Sequence, residues 1–428
     1  MYEIMNLGEC AYPSPDPTCC FVEGRNRIIF DHHLDTFDLS KDAKGRPESL
    51  ELAGPQRMIY FNSPRTRVAI VTCGGLCPGI NDVIRAIVMV LHYRYGVKDI
   101  LGIPFGFRGL VPESGLLPLS LTPDLVKDIH TLGGSILSSS RGHQDIGTMV
   151  NALVEKAIDM LFLIGGDGTM RAADKITQEI TRRNLPIAII GIPKTIDNDL
   201  NLIDKTFGFD TAISEAVKVI QCAHVEAKGA PMGIGLVKIM GRESGHIAVN
   251  ATLAQSDVNF TLIPEVPFDL YGENGFLAVL EKRLRSRRHA VILVAEGAGQ
   301  DLFSNEGPLG ADQSGNPRLK DIGLFLKNKI EEYFLSIGME INLKYIDPSY
   351  IIRSVPATAT DSIYCDLLGQ YAVHAAMAGK TGMVLGLYHN EYVHLPIKAV
   401  TSRRKVDVKK DLWMRVLEAT GQPMSMKK

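Results

Sequence analysis

The stretch "MLFLIGGDGTMRAADKITQEI" (Met160–Ile180) decides the fold. An apolar run of strand length leads into a glycine-rich loop, and the residues after the loop have the apolar spacing of an amphipathic helix. Buried strands that alternate with helices are typical of parallel sheets covered by helices on both faces. Ligands bind such sheets at the carboxyl ends of the strands. We therefore expect a functional site in the loop around Asp167.

The same order of strand, loop and helix recurs along the chain. Val68–Thr72 predicts a buried strand and Asn81–Leu91 predicts a helix, with a tight glycine- and proline-containing loop between them. Further stretches of this kind are "PIAIIGIPKTIDND" (Pro186–Asp199), "FGFDTAISEAVKVIQCAHVEA" (Phe207–Ala227), "IGLVKIMGRESGHIAVNATLA" (Ile234–Ala254) and "HAVILVAEGAG" (His289–Gly299). Each unusual motif follows a predicted strand, which favours an active site over a set of structural loops.

Length, charge and cysteine content narrow the class of protein. The 428 residues, 45% of them hydrophobic, suggest two or three domains, and the 46 basic and 48 acidic residues leave a net charge of −2. That balance argues against nucleic-acid binding through bulk charge. We see no apolar run of eighteen residues and no signal-peptide pattern, so we expect no membrane span and a cytoplasmic protein. The cysteines, whose spacing matches no disulfide framework or zinc ribbon, are expected to be reduced: Cys10, Cys19, Cys20, Cys73, Cys77, Cys222 and Cys365.

A first candidate loop is "CGGLCPGIN", in which Gly74 and Gly75 lie between a strand and a helix. Glycines let backbone amides approach a phosphate, and the helix N-terminus adds partial positive charge. A tight structural turn would have the same composition. The loop is not G-x-G-x-x-G, and no acidic residue closes a ribose-binding unit, which disfavours a dinucleotide-dependent oxidoreductase.

A second candidate is "GGDGT", which places the Asp167 carboxylate among glycines that suit phosphate. A carboxylate fits there if a cation lies between it and the phosphates. Mg²⁺ is typically held by one or two carboxylates together with substrate phosphates and water. The structural alternative is that Asp167 only caps the following helix.

A third candidate is "GIPKTIDNDL", which crowds Lys194, Thr195, Asp197 and Asp199 onto one loop. Phosphoryl transfer to an alcohol needs a positioned base for the hydroxyl proton and cations for the phosphoryl oxygens. Asp197 suits the first role and Lys194 the second. A solvated turn could carry the same two acids, although the adjacent lysine favours an organised site.

Weaker signals follow other strands. Arg242 in "KIMGRESGHIA" and Arg141 in "SSSRGHQD" could grip a phosphate, although either could instead form a surface salt bridge. Glu296 in "VAEGAG" could accept sugar hydroxyls. Tyr350 and Arg353 in "PSYIIRS" are three residues apart and could share one face. Together these residues describe a pocket for Mg²⁺, a nucleotide and an anionic, hydroxylated substrate.

The motifs "GGLCPGIN", "GGDGT", "PKTIDND", "MGRESGHIA", "AEG" and "SYIIR" occur in the order found in the 6-phosphofructokinases, which the chain resembles over about residues 67–400. The N-terminal extension and "PKTIDND" resemble the long-chain branch, which holds pyrophosphate-dependent enzymes and ATP-dependent relatives. The resemblance implies an α/β fold of two Rossmann-like three-layer domains with a cleft between them, plus an N-terminal extension. The expected segments are the extension (1–66), a nucleotide-binding domain (67–200), a sugar-phosphate-binding domain (201–360) and a C-terminal helical segment packing back on the core (361–428).

The resemblance also implies transfer of the γ-phosphoryl group of ATP to the 1-hydroxyl of fructose 6-phosphate. Asp197 would accept the hydroxyl proton, and Asp167 would bind Mg²⁺. The implied catalytic residues are Asp197, Lys194 and Thr195; the nucleotide contacts are Gly75, Arg141, Gly142, Gly166, Asp167, Gly168 and Thr169; the sugar-phosphate contacts are Thr195, Ile196, Asp197, Met240, Gly241, Arg242, Glu296, Tyr350 and Arg353. A homodimer or homotetramer is implied as well.

Two departures from the family pattern matter. The short bacterial enzymes carry a substrate-binding arginine seven residues before Met-Gly-Arg, where this chain has Gly233. Lys238 lies nearby without an assigned role. The donor signature is also mixed, since Gly168 resembles ATP users and Lys194 resembles pyrophosphate users. Glycine leaves room for the α-phosphate, so we predict ATP, with pyrophosphate as the alternative and a non-catalytic regulatory subunit as a remote one.

Overall fold

The computed structural model describes residues 2–17, 20–24, 26–34, 45–304, 307, 309–311, 317–402 and 404–427. The strands in chain order are β1 (Met5–Asn6), β2 (Tyr12–Pro13), β3 (Arg27–Ile29), β4 (Ser49–Leu52), β5 (Met58–Ile59), β6 (Arg67–Thr72), β7 (Asp99–Ile103), β8 (Leu119–Ser120), β9 (Met160–Gly165), β10 (Ala188–Pro193), β11 (Gly233–Ile239), β12 (Phe260–Leu262), β13 (His289–Ala295), β14 (Asn342–Ile346), β15 (Lys380–Thr381), β16 (Met383–Tyr388) and β17 (Glu391–Pro396). The helices are α1 (Ile80–Tyr93), α2 (Pro123–Val126), α3 (Ile146–Glu155), α4 (Asp167–Arg182), α5 (Phe209–Gly229), α6 (His246–Ala254), α7 (Phe276–Arg287), α8 (Ile322–Ser336), α9 (Ala359–Met377), α10 (Ile397–Val400) and α11 (Asp411–Thr420).

The chain forms two compact units, each assembled from separate stretches. The first unit comprises Met1–Thr195, Leu200–Gly208 and Ser354–Arg403, and the second comprises Ile196–Asp199, Phe209–Arg353 and Arg404–Lys428. These units differ from the continuous segments expected from sequence. The N-terminal extension belongs to the first unit, and the C-terminal segment is shared between the two. The reason is that α9 packs on α1 and α11 packs on α6, and such pairings do not follow chain order.

The large sheet of the first unit has the order β3-β4-β17-β16-β10-β9-β6-β7-β8. Its centre, from β16 to β7, is parallel as predicted, but β8, β17, β4 and β3 pair antiparallel. The sheet is therefore mixed rather than purely parallel. His389 and Asn390, with φ of 50° and 63°, alone join β16 to β17. A two-residue loop with two left-handed residues makes a hairpin and leaves no room for a crossover.

Helices cover both faces of this sheet. Alternate strand residues such as Ala69, Leu161 and Ile189 share one buried core with the apolar faces of α3 and α4. The helix α9 contacts β10 and packs on α1. In α4, Ala173, Ile176 and Ile180 recur at helical spacing and are buried. Burying one isoleucine of this kind contributes about 1.5–3 kcal/mol, so α4 is held firmly beside its preceding loop.

The described strands of the N-terminal extension pair with strands of the first unit. The strands β3 and β4 extend the large sheet beyond β17, while β1 pairs with β15. Glu51 of β4 forms an ion pair with Lys380 of β15 at 2.5 Å, and its Oε1 atom lies 3.3 Å from Nδ1 of His394 of β17. All three side chains are largely buried.

The second unit contains a four-stranded parallel sheet of order β12-β13-β11-β14. On one face, α7 and α8 share a core with alternate residues of β11 and β13, including Ile234, Leu236 and Ile292. On the other face, α5 contacts β11, β13 and β14, and α6 packs beside α5. The predicted three-layer α/β arrangement is thus present in each unit. The order of the sheet brings the carboxyl ends of β13, β11 and β14 side by side.

Two further features concern membranes and cysteines. Within the described ranges, none of the helices combines the length and the apolar content needed to cross a membrane. The described cysteines are free thiols, in agreement with the prediction of reduced cysteines: Cys10, Cys20, Cys73, Cys77, Cys222 and Cys365. Cys19 lies outside the described residues.

Candidate active site

The "GGDGT" loop joins β9 to α4 through Gly166 alone. A side chain at Gly165 would overlap Thr169, and a β-carbon at Gly166 would lie 3.2 Å from the carbonyl oxygen of Lys194. Gly166 is the N-cap of α4 in extended conformation, and its carbonyl accepts from the amides of Thr169 and Met170. The close approach of β9, α4 and the end of β10 explains why two glycines stand here.

Asp167 is the first residue of α4, not its N-cap, so the capping alternative is wrong. The carboxylate lies in the first helical turn, where the helix dipole favours negative charge. Its Oδ2 atom is 2.9 Å from Nη2 of Arg171, one turn along the helix. The Arg171 side chain is 60% exposed, and exposed ion pairs of this spacing are weak. A cation could therefore replace Arg171 at little cost. Sequence reasoning missed Arg171, although the four-residue spacing was a usable signal.

Gly168 is the next residue of α4. A β-carbon at Gly168 would meet no atom of the described residues within 4 Å outside its own stretch of helix. Neither sterics nor a positive φ requires glycine here, in contrast to Gly165. The choice of phosphoryl donor is predicted to depend on this position.

Lys194 follows β10 and is buried, with 4% of its surface exposed. Its amide donates to the carbonyl oxygen of Gly165, and its Nζ atom donates to the carbonyl oxygen of Gly75 at 2.6 Å. The structure thus joins three separately predicted motifs, "GGLCPGIN", "GGDGT" and "PKTIDND". Burial raises the pKa of the neighbouring Cys73 thiol to about 12 despite the Lys194 charge, so Cys73 is neutral and unsuited to nucleophilic chemistry.

The segment around Arg141 lies against the same glycine loop. Ser139 Oγ donates to the carbonyl oxygen of Gly74 at 2.6 Å, and the amide of Gly74 donates to the carbonyl oxygen of Ser140. Arg141 is exposed, and Gly142 follows it with a φ of 111°. The predicted nucleotide contacts therefore all belong to the first unit. They lie after β6, after β9 and in the segment before α3.

The second half of "PKTIDND" is grouped with the second unit. Ile196 and Asn198 are buried, Asn198 has a φ of 51°, and Asp197 is half-buried with its Oδ1 atom shielded from solvent. Arg404 holds this loop from outside, because its amide donates to the carbonyl oxygen of Asp199 at 2.7 Å and its Nη2 to that of Asn198 at 3.0 Å. Nothing in the local sequence pattern points to Arg404.

The turn after β11 carries Met240, Gly241 and Arg242. Gly241 has a φ of 134°, and a β-carbon there would lie 2.7 Å from the carbonyl oxygen of Ser244. Its carbonyl accepts from the amide of Gly297, next to Glu296. Arg242 is half-buried and donates from Nη2 to the carbonyl oxygen of Pro317. This turn therefore depends on glycine for its conformation.

The Glu296 carboxylate lies among cations. Burial raises its pKa, while the charges of Arg242, Lys238 and Arg353 act to lower it. No described side chain is a hydrogen-bond partner of this carboxylate, which leaves it able to accept hydroxyl donors. The Arg353 guanidinium lies 4.9 Å from the ring centre of Tyr350, so these two residues do share one face. Tyr350 itself is 74% exposed.

The remaining predicted residues occupy loop and helix positions in these same motifs. Thr169 is buried in the first turn of α4, and the carbonyl oxygen of Thr195 accepts from Thr206 Oγ1 at 2.5 Å. Asp199 is half-buried. Among the residues described, no group of three histidine, cysteine or acidic side chains could hold a metal alone. A single carboxylate with phosphates and water fits Mg²⁺, which seldom uses all-protein cages.

The comparisons with known proteins agree with this architecture. A model of the phosphofructokinase family, described as "Phosphofructokinase", matches residues 67–376. The ATP-dependent 6-phosphofructokinase of Borreliella burgdorferi is 50% identical over 442 aligned residues, which cover 100% of this chain and 98% of that one. The ATP-dependent 6-phosphofructokinase of Amycolatopsis methanolica is 46% identical, covering 97% and 94%.

A solved structure is also similar. The pyrophosphate-dependent phosphofructokinase of Marinobacter aquaeolei superposes with a TM-score of 0.68 at 20% identity, over 84% of this chain and 92% of that one. At that identity the likeness bears on the fold and not on the phosphoryl donor. The fold is that of two α/β units with their unusual loops at the strand ends. The chain belongs to the phosphofructokinase family.

Proposed function

We propose that this protein phosphorylates the 1-hydroxyl of fructose 6-phosphate with ATP, giving fructose 1,6-bisphosphate and ADP, as in glycolysis. The observation that carries the proposal is the similarity over the whole chain to proteins named ATP-dependent 6-phosphofructokinase. Gly168 supports ATP, because a glycine adds no acidic side chain beside Asp167, and an acidic side chain at this position would repel the nucleotide phosphates proposed to bind here.

The proposed chemistry is a single transfer. The 1-hydroxyl oxygen attacks the γ-phosphorus, the bond from that phosphorus to the bridging oxygen breaks, and ADP leaves. Asp197 takes the hydroxyl proton. Arg242 and Arg353 bind the 6-phosphate, and Glu296 accepts sugar hydroxyls. In the first unit, Gly75, the Arg141–Gly142 segment and Gly166–Thr169 bind the nucleotide phosphates.

Lys194 has a supporting role in this proposal. Because its ammonium group donates to the carbonyl oxygen of Gly75, it fixes the glycine loop while adding positive charge near the phosphates. Asp167 would hold Mg²⁺, which supplies charge neutralisation at the phosphate oxygens when bound. The other proposed sugar-phosphate contacts come from the same loops: Thr195, Ile196, Met240, Gly241 and Tyr350.

A donor assay tests the proposal. Purified protein with Mg²⁺ and fructose 6-phosphate is expected to turn over ATP far faster than pyrophosphate, measured as formation of fructose 1,6-bisphosphate. The Asp197→Asn variant keeps the side-chain volume but not the base, and its kcat is expected to fall by roughly 10²–10⁴. Faster turnover with pyrophosphate would reverse the donor assignment. Pyrophosphate is the second candidate because Lys194 resembles the residue found in pyrophosphate users. An inactive wild type would favour a regulatory subunit.

Two finer points of the proposal concern the location of the protein and its assembly. We propose that the protein is cytoplasmic and works as a homodimer or homotetramer. Light scattering coupled to size exclusion measures the second point directly, and a monomeric mass in an active preparation would contradict it.

A further inference from the structure

Lys238 lies at the end of β11, two residues before the Met240–Gly241–Arg242 turn. Its Nζ atom is 3.0 Å from Oδ2 of Asp321 and 2.8 Å from Oδ2 of Asp347. The Lys238 side chain is 13% exposed. Each carboxylate also accepts a hydrogen bond from a backbone amide of its own segment, and the ammonium group bridges the two carboxylates. The ammonium group of Lys238 therefore binds protein carboxylates. It does not take the role of the substrate-binding arginine that the short bacterial enzymes carry at the position of Gly233.

The two acids organise different elements. Asp321 is the N-cap of α8, where its Oδ1 atom accepts from the amide of Leu324 at 3.0 Å. Asp347 follows β14, and its Oδ1 atom accepts from both the amide and the hydroxyl of Ser349. Ser349 begins the short turn that presents Tyr350 and, three residues later, Arg353. Asp347 thus fixes the start of the turn that carries the proposed sugar-phosphate contacts.

The order of the sheet explains the connection. Because β14 pairs with β11 and Val237 lies opposite Ile346, the next residues along the two strands, Lys238 and Asp347, come into register. Burial acts to lower the pKa of Lys238, but the hydrogen bonds that its ammonium group donates to Asp347 and Asp321 outweigh burial and raise the pKa well above its usual range. The pKa of Asp347 is lowered by Lys238 and Ser349, against the effect of burial. The bridge is therefore ionised at neutral pH.

We infer that Lys238 is a positioning residue for the acceptor site. By clamping Asp347 beside the end of β11, it fixes the Tyr350–Arg353 turn relative to Arg242 and Glu296, which follow β11 and β13. Its charge also acts on Glu296 together with those of Arg242 and Arg353. This inference rests on the proposed function and adds to it a residue that does not contact substrate.

The test separates binding of the two substrates. Lys238→Met keeps the length of the side chain and removes the charge, and it is expected to raise the KM for fructose 6-phosphate about tenfold. The KM for ATP should stay within about twofold, because the proposed nucleotide contacts belong to the other unit. Lys238→Arg should restore most of the affinity. Lys329→Met is the matched control, since Lys329 pairs with Glu332 on the exposed side of α8, and it should leave both KM values unchanged.

Substitution of Asp347, the acid that Lys238 binds, gives an independent test of the same bridge. Asp347→Asn should raise the KM for fructose 6-phosphate by a similar factor, and the double variant with Lys238→Met should be no worse than either single one, because both remove the same bridge. Lower thermal stability with an unchanged KM for fructose 6-phosphate would reduce Lys238 to a structural role and overturn the inference. A wild type without ATP-dependent turnover would instead overturn the proposed function.

Discussion

At the scale of single residues, Gly168 is the sharpest test of donor choice. Gly168→Asp would place a second carboxylate beside Asp167, where the nucleotide phosphates are proposed to bind. Juxtaposed like charges cost several kcal/mol, so we expect kcat/KM for ATP to fall by about 10²-fold in steady-state assays. Gly168→Ala is the control, and this variant should retain most activity. The added methyl group would meet no described atom within 4 Å outside its own stretch of α4. Unchanged ATP kinetics in Gly168→Asp would refute the electrostatic account.

The residues of the candidate site were predictable to the extent that they follow strands. Gly75, Asp167, Lys194, Arg242 and Glu296 all lie where the apolar runs placed them, at or just beyond a strand end. Their partners were not predictable. The hydrogen bond from the ammonium group of Lys194 to a carbonyl in another loop depends on how three strands line up, and no spacing along one segment encodes that.

At the scale of secondary-structure elements, β4 depends on a buried ion pair. Burial acts to raise the pKa of Glu51, but hydrogen bonds and charges from His394 and Lys380 outweigh it and lower the pKa to about 2. Burial also lowers the pKa of His394, so Lys380 carries the positive charge at neutral pH. Removing one partner of a buried pair leaves an uncompensated charge, which costs about 3–5 kcal/mol.

We therefore predict that Glu51→Gln loosens β4 at pH 7, measured as faster amide hydrogen exchange in a peptide covering residues 45–62. The folded pKa lies below the ordinary value of 4.5, so the contribution of Glu51 is full above about pH 4.5 and is lost as pH falls towards 2. The difference between variant and wild type should shrink over that window. Asp99→Asn breaks the half-exposed pair with Arg67 and should leave exchange in this peptide unchanged. Equal exchange in Glu51→Gln and wild type at pH 7 would contradict the role of the pair.

The elements differ in how well sequence predicted them. Long apolar runs predicted β6, β9, β10, β11 and β13, because a strand buried on both faces needs little beyond hydrophobicity. The strands β3 and β4, which extend the sheet beyond β17, were not predicted. They are short and partly polar, and they are strands only because β17 offers β4 an edge to pair with. The division of the tail between the two units depends on tertiary packing in the same way.

At the scale of the whole molecule, each unit buries a histidine. His374 in the first unit is buried against Tyr95, whose hydroxyl lies 2.8 Å from Nδ1, and Asp16 lies 3.7 Å away. Burial lowers the pKa of His374 to about 4, with Asp16 opposing and Arg94 adding to the shift. Burial and the Arg404 charge also lower the pKa of His246 in the second unit to about 4. Both imidazoles are neutral in the folded protein at pH 7.

The lowered pKa values of these two histidines predict that the folded protein loses stability in mild acid. Their folded pKa lies below the ordinary 6.5, so the unfolded chain takes up protons first as pH falls, and stability present above about pH 6.5 is lost towards pH 4. On going from neutral pH to pH 5, protonation of the unfolded chain at each of these histidines lowers the free energy of unfolding by about 2 kcal/mol. This window lies above that of Glu51. The midpoint of thermal unfolding should therefore decrease as the pH is lowered from 7.5 to 5.

His374→Gln isolates the contribution of His374. Glutamine takes up no proton, so the variant should start from a lower Tm at pH 7.5, having lost the contact with Tyr95, and then fall less than wild type on going to pH 5. His33→Gln replaces an exposed imidazole and should keep the full wild-type decline. If His374→Gln declined as steeply as wild type between these two pH values, protonation of His374 would not be what weakens the first unit, and acid sensitivity would have to arise from other groups.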